Sequence, residues 1–203
     1  DVVLGTNQIR QITRAVRGEK VPGPAPCGAG RRPFLYDHTW PRELVTPPYS
    51  AYMKIAEGCD HTCSFCIIPA IRGPYRSRTI DSLLREARKL AAGGVREITL
   101  ISQDSTAFGS DRGMTDGLAQ LLAALDRVEG LVWIRVLYLY PNMVGDRLLE
   151  TVASSERICK YVDIPLQHAS ASVLKSMRRG GDRKSLTRLV ERVRRRIPGV
   201  TFR

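Results

Sequence analysis

The stretch Glu57–Cys66 reads EGCDHTCSFC and holds three of the chain's five cysteines, Cys59, Cys63 and Cys66. A disulfide would use two of these thiols and leave one over. A structural zinc ion usually takes four ligands as two pairs, and the chain has no second pair at C-x-x-C spacing. Three thiolates on one short loop suit three corners of a cubane 4Fe–4S cluster, whose fourth iron can then bind a substrate. The spacing therefore favours an iron–sulfur site and leaves zinc as the alternative.

The other cysteines and histidines offer no evident fourth ligand. His61 lies inside the loop, where its backbone neighbours place it poorly for the same ion, and His38 and His168 could join only through the fold. Cys27 stands in a stretch rich in Pro and Gly and is interpreted as an incidental free thiol. Cys159 is interpreted as a semi-buried structural thiol.

Length and composition indicate the class of protein. The chain has 203 residues, 43% of them hydrophobic, which is enough for one domain with a sizeable core. No apolar run is long enough to cross a bilayer, and the first residues lack the pattern of a signal peptide. Five cysteines without an export signal indicate a reducing compartment, so we expect a cytoplasmic protein with no membrane partner. Because the chain starts at Asp1 and not at methionine, we expect it to begin inside a longer protein.

The net charge of +12 suggests an RNA-rich partner, but it also has a simpler explanation. Most of the positive charge is arginine spread over the whole chain, as a codon bias would produce. Dense spots occur at residues 72–78, 178–184 and 192–196, the last with the spacing of a solvated helix face. Charge is therefore supporting evidence only.

Strand-like and helix-like segments alternate from residue 49 onward. Strands are predicted at residues 51–57, 96–102, 131–140, 161–165 and 199–203, and helices at about 79–92, 116–128, 143–154, 171–177 and 182–197. This alternation predicts an α/β fold with parallel strands and right-handed crossovers. The pattern stops on a bare strand, so we expect a barrel truncated after about the fifth strand. Residues 1–20 are predicted to end a preceding domain, and residues 21–48 to form a linker.

In folds of this kind, chemistry gathers at the carboxyl ends of the parallel strands. Those ends are predicted at residues 57–66, 103–109, 140–142 and 167–172. The cysteine stretch is therefore expected at the functional edge of the sheet.

The C-x3-C-x2-C spacing after a first strand resembles the radical S-adenosylmethionine (radical SAM) enzymes, and Phe65 before the third cysteine strengthens the resemblance. The resemblance implies a partial (β/α) radical SAM barrel in which Cys59, Cys63 and Cys66 bind a 4Fe–4S cluster. The open iron would bind S-adenosylmethionine (SAM), and one electron from an external electron donor would give a 5′-deoxyadenosyl radical.

Residues 47–78, PPYSAYMKIAEGCDHTCSFCIIPAIRGPYRSR, resemble the barrel opening of the methylthiotransferases, a radical SAM family that inserts sulfur and then methylates it. The resemblance covers residues 49–203 as an incomplete radical SAM core, and it makes residues 1–20 the tail of that family's N-terminal domain. A second 4Fe–4S cluster is then expected in the missing part of that domain, and a substrate-binding β-barrel domain is expected downstream. Cys27 and Cys159 do not match the ligands of the second cluster.

Two branches of this family differ in substrate. One modifies a tRNA adenosine and carries GQNV-like and LPVQSGS motifs, and the other modifies the β-carbon of an aspartate in small-subunit ribosomal protein S-twelve. The chain has SQDSTAFG at residues 102–109 and DIPLQHAS at residues 163–170, which resemble the second branch. The predicted function is therefore methylthiolation of the ribosomal protein. The tRNA enzyme is the alternative, and a non-enzymatic zinc-stabilised RNA-binding module is a remote one.

Four further residues are predicted to bind the cofactor. The resemblance places Phe65 beside the adenine, while Gln103 and Asp104 end the second strand and Gln167 ends the fourth. The alternative role for Phe65 is ordinary packing within the loop. The alternative role for Gln103 and Asp104 is capping of the next segment. No residue is assigned a catalytic role, because a lone histidine such as His168 is as often a local hydrogen-bonding residue.

Overall fold

The structure, a computed structural model, describes residues 2–6, 8–23 and 34–203. Cys27 and part of the predicted linker lie outside these residues. In chain order the strands are β1 (Ser50–Lys54), β2 (Ala56–Glu57), β3 (Arg76–Ser77), β4 (Glu97–Ile101), β5 (Trp133–Val136), β6 (Tyr161–Val162) and β7 (Thr201–Phe202). The α-helices are α1 (Ile12–Val16), α2 (Ile68–Arg72), α3 (Ile80–Ala92), α4 (Gly117–Leu125), α5 (Asp146–Ser154), α6 (Ala171–Ser176) and α7 (Arg183–Arg196).

Parallel strands carry the fold. The main sheet has the order β1-β4-β5, with Met53 opposite Leu100 and Leu100 opposite Val136. Strands β6 and β7 form a second parallel pair, and a parallel bridge between Ile134 and Ile158 links the segment before β6 to β5. The predicted α/β class with parallel strands is confirmed.

Helix α3 shows how the sequence forms one of the helices. The Thr79 hydroxyl accepts a hydrogen bond from Ser82 N at 3.1 Å, which caps the first turn. Leu83, Ala87 and Leu90 recur at helical spacing and are buried in the core. The helix ends at Gly93, as the Gly93-Gly94 pair predicts.

The strands are shorter than the sequence predicts. The first one is interrupted after Lys54, because β2 turns away to pair antiparallel with β3. The third predicted strand, residues 131–140, is β5 in the structure and ends at Val136. Tyr138 takes a left-handed conformation (φ +62°) that no strand accommodates. The predicted strand at residues 161–165 shrinks to β6, and the helix predicted from residue 143 begins at Asp146, after a 3-10 turn at Pro141–Met143.

None of the helices in the described ranges is both long and apolar enough to cross a membrane.

Candidate functional site

The cysteine loop, residues 58–66, runs from the end of β2 towards α2. Cys59 is buried, and Cys63 and Cys66 are half-buried. Cys66 N donates to Cys63 O at 3.1 Å, so these two cysteines share one tight turn. The four cysteines in the described ranges are all free thiols, so no two of these four form a disulfide.

The first half of the loop is fixed against neighbouring backbone. Gly58 has φ +86°, and a Cβ there would lie 2.2 Å from Pro74 O, so only glycine fits. Gly58 N donates to Gln103 Oε1 at 2.9 Å, and Cys59 N donates to Gly73 O at 3.2 Å. The loop is thereby attached to the end of β4 and to the segment before β3.

The second half of the loop is held from the opposite side. Ser64 N donates to Met177 O at 3.0 Å, and its hydroxyl donates to Ser176 O at 2.8 Å. Both acceptors lie at the end of α6. The loop therefore bridges two parts of the chain that are far apart in sequence.

Asp104 and His61 form a contact inside the site. Asp104 is 3% exposed, and its Oδ2 lies 2.6 Å from His61 Nε2. Its Oδ1 accepts from Thr106 N at 2.9 Å, which is the capping role considered from the sequence. The His61 ring also stacks on Tyr140, so the imidazole is held on an edge and a face.

Arg179 completes the surroundings of the loop. Its Nη1 donates to Cys63 Sγ at 3.7 Å, and its Nη2 donates to Pro165 O at 3.2 Å. Its guanidinium carbon lies 4.5 Å from the centre of the Tyr140 ring. The sequence did not single out Arg179, because no local signal separates it from the other arginines of residues 178–184.

The electrostatics follow from burial and from neighbouring charge. Burial raises the pKa of the Cys59 thiol, the backbone hydrogen bond from His61 opposes this, and the nearby Asp104 adds to it. Burial also raises the pKa of the Tyr140 hydroxyl, while the charge of Arg179 lowers it. The neutral thiol of Cys59 is therefore favoured until a cation binds.

The donor set fits an iron–sulfur cluster better than a single ion. Within the described ranges, no three His, Cys, Asp or Glu side chains lie close enough together to hold one metal ion. The thiolates of a cubane bind different iron atoms and stand farther apart than the ligands of one ion. Three free thiols on one loop are a donor set that suits a cluster with three protein ligands.

The remaining predicted cofactor residues take different positions. Phe65 is 56% exposed beside the third cysteine, and the side-chain carbonyl of Gln103 is occupied by Gly58. Gln167 is exposed, has φ +70°, and lines a neighbouring surface cavity of about 570 Å³ with His168 and α7. The structure thus brings Gln103 and Asp104 to the cysteine loop, and the cofactor contacts of all four residues stay predictions.

A larger cavity of about 600 Å³ shares no residue with the cysteine loop. It lies between residues 34–44 and α3, and Phe34, Tyr36 and Trp40 line it.

Comparison with known proteins finds curated relatives that match most or all of the chain. The chain is similar to the ribosomal protein uS12 methylthiotransferase RimO of Koribacter versatilis, with 54% identity over 84% of this chain and 34% of that protein. It is 49% identical to RimO of Solibacter usitatus over 100% of this chain and 43% of that protein, and 45% identical to RimO of Pelotomaculum thermopropionicum over 100% and 46%. The expected resemblance to methylthiotransferases of the RimO type is confirmed. The chain spans between a third and a half of the length of these curated relatives.

Solved structures show the same fold at much lower identity. The radical SAM methyltransferase TsrM from Kitasatospora setae, with cobalamin and a 4Fe–4S cluster bound, matches with a TM-score of 0.58 and 19% identity. The match covers 74% of this chain and 29% of TsrM.

The family model described as the Radical SAM superfamily matches residues 53–203, a range that includes the whole cysteine loop. Since this match takes in most of the sequence, the chain belongs to the radical SAM superfamily.

Proposed function

We propose that the chain is the radical-generating part of a methylthiotransferase that modifies an aspartate β-carbon in ribosomal protein uS12. The observation that carries the proposal is the cysteine loop: three free thiols, fixed at both ends, in a chain 45–54% identical to RimO proteins. The name of these relatives supplies uS12 as the substrate. The aspartate follows from the resemblance of residues 102–109 and 163–170 to that branch.

Cys59, Cys63 and Cys66 would hold a 4Fe–4S cluster, which, when bound, supplies the electron that cleaves SAM. The other residues of the site keep this loop in place. Gln103 holds Gly58 from the end of β4, and Asp104 holds His61. Phe65 lies beside the third ligand and is proposed to pack on the adenine, and Gln167 is proposed to contact SAM from the segment that follows β6.

No side chain of the site is assigned a proton-transfer role, and the residues around the loop are proposed to hold it in position. The ends of β2, β4 and β5 meet around the loop, since His61 contacts both Asp104 and Tyr140. A substrate carbon presented at this edge would therefore lie near SAM, and a fixed geometry is the main contribution of the protein to such a reaction. An electron donor and a second cluster in an N-terminal domain belong to the same proposal.

Metal and sulfide analysis tests the cluster. After anaerobic reconstitution, we expect brown protein with iron and sulfide in nearly equal amounts. Cys63→Ala should lose both, and Cys159→Ala should keep them, since Cys159 lies outside the loop. A colourless protein that contains zinc and no sulfide would replace the proposal with the zinc-stabilised RNA-binding module.

The substrate needs a separate test in cells that lack the full-length gene. Mass spectrometry should find that ribosomal protein uS12 has lost its methylthio group while tRNA hydrolysates are unchanged. The opposite result, with unmodified tRNA and normal uS12, would assign the chain to the tRNA branch.

A further inference from the structure

Arg179 contacts three separate parts of the site. Its Nη1 donates to Cys63 Sγ at 3.7 Å and its Nη2 donates to Pro165 O at 3.2 Å, beyond the end of β6. Its guanidinium lies over Tyr140 at 4.5 Å. These contacts join residues that are 116 and 14 positions away from Arg179 in the sequence. A guanidinium held on one face and at two nitrogens has little freedom to move.

Tyr140 is the support for this arrangement. One contact of its ring is with Arg179, and the other is with His61, whose ring lies 3.8 Å away and 14° from parallel. His61 is in turn held by Asp104. Tyr140 N also donates to Thr106 Oγ1 at 3.1 Å, so the backbone beneath the ring is fixed as well. The charge near Cys63 is therefore placed by a connected set of contacts.

A cation beside a cysteine sulfur has a defined effect on an iron–sulfur cluster. Reduction adds a negative charge to the cluster, so a nearby positive charge and N–H donors to sulfur stabilise the reduced form. Arginine stays charged at all working pH values and is less strongly hydrated than lysine, which suits a half-buried position.

We propose that Arg179 is a positioning residue that raises the reduction potential of the cluster by placing a fixed charge and a donor at Cys63 Sγ. This inference rests on the proposed function, because it requires a cluster on the cysteine loop. Arg179 also keeps the Cys63–Cys66 turn ordered before a cluster binds, since it connects that turn to Tyr140 and Pro165.

The test is an EPR-monitored redox titration of the reconstituted chain. Arg179→Gln should shift the cluster's midpoint potential to a more negative value, because it removes the charge and the ring contact. Arg179→Lys should shift it less, since the charge is kept. Arg178→Gln is the matched control. Arg178 is the exposed neighbour, with φ +53°, and within the described part of the chain its side chain makes no hydrogen bond or ring contact with the loop, so the potential should not change.

Iron and sulfide content is measured first, because this separates a failure of the proposed function from a failure of the role of Arg179. Wild-type protein that holds no cluster overturns the proposed function. Wild-type and Arg179→Gln proteins that hold the cluster at equal potential overturn the role of Arg179.

Hydrogen exchange in the apo-protein provides a second readout if Arg179→Gln binds no cluster. The Ser64 amide, which donates to Met177 O, should exchange faster in Arg179→Gln than in wild type or Arg178→Gln. Equal exchange in all three proteins would show that Arg179 does not order the loop, and would overturn the inference.

Discussion

The imidazole ring of His61 lies nearly parallel to the phenol ring of Tyr140, with 3.8 Å between centroids and 14° between planes. His61 lies between two of the cysteines, and Tyr140 follows β5. Because Asp104 holds the far edge of the imidazole, the loop is attached to two strand ends through one side chain. The position of His61 thus explains how a loop without regular structure keeps a defined shape.

Replacing His61 by alanine should weaken this attachment. The change removes the ring stack and leaves the buried Asp104 Oδ2 without its partner, which costs about 1–3 kcal/mol. Urea unfolding of the apo-protein should show the loss, and cluster yield should fall. His168→Ala is the control, because His168 is exposed and its ring accepts a hydrogen bond from the nearby Ser170 N. Equal stability of the two variants would contradict the role of His61.

Gly58→Ala should be more damaging than the same change at a glycine with free space. Both Gly58 and Gly94 have positive φ, so alanine at either position costs roughly 1–2 kcal/mol of backbone energy. At Gly58 the new Cβ also collides with Pro74 O, whereas nothing lies within 4 Å at Gly94. Urea unfolding and iron content measure the difference. The idea fails if the two variants lose equal stability and both keep the cluster.

Substitutions of Gln103 can show whether this residue supports the cysteine loop or also contacts the cofactor. Gln103→Ala removes the acceptor of Gly58 N and should cost about 1 kcal/mol, while Gln103→Glu keeps an acceptor oxygen. If Gln103 only supports the loop, Gln103→Glu should bind SAM as tightly as wild type. Calorimetry on reconstituted protein decides this, and weaker SAM binding by a well-loaded Gln103→Glu protein would show direct contact with the cofactor.

Local chemistry made much of the fold predictable. The Thr79 cap and the Gly93-Gly94 pair mark the ends of α3, and Asp182 marks the start of α7. The cysteine spacing identified the site because its signal is also local: three ligands within one loop are recognised without knowing the fold.

Contacts between distant segments were out of reach of the sequence. His61 and Asp104 are 43 positions apart, and Cys63 and Arg179 are 116 apart, so neither pair leaves a local pattern. The predicted ends of the strands were wrong for the same reason. Tyr138 looks like a strand residue, but its carbonyl accepts from Ser105 N at 2.9 Å, and this contact draws the chain out of β5.

The start of α7 should make stability depend on acid pH. Asp182 Oδ1 accepts from Ser185 N at 2.7 Å, and Ser185 Oγ accepts from Asp182 N at 2.8 Å, which forms a capping box. The hydrogen bond from the Ser185 backbone lowers the pKa of the Asp182 carboxyl below its ordinary value.

A carboxyl whose pKa is lower in the folded state stabilises the fold above its unfolded pKa, and this contribution is lost as the pH falls through the folded value. The window therefore lies below about pH 4. Asp182→Asn keeps the cap acceptor but does not titrate, so it should lose less stability than wild type on acidification. Urea unfolding at about pH 6 and about pH 3 measures this. An identical acid dependence in both proteins would show that the Asp182 carboxylate does not contribute, because the neutral amide would then serve the helix equally well at every pH.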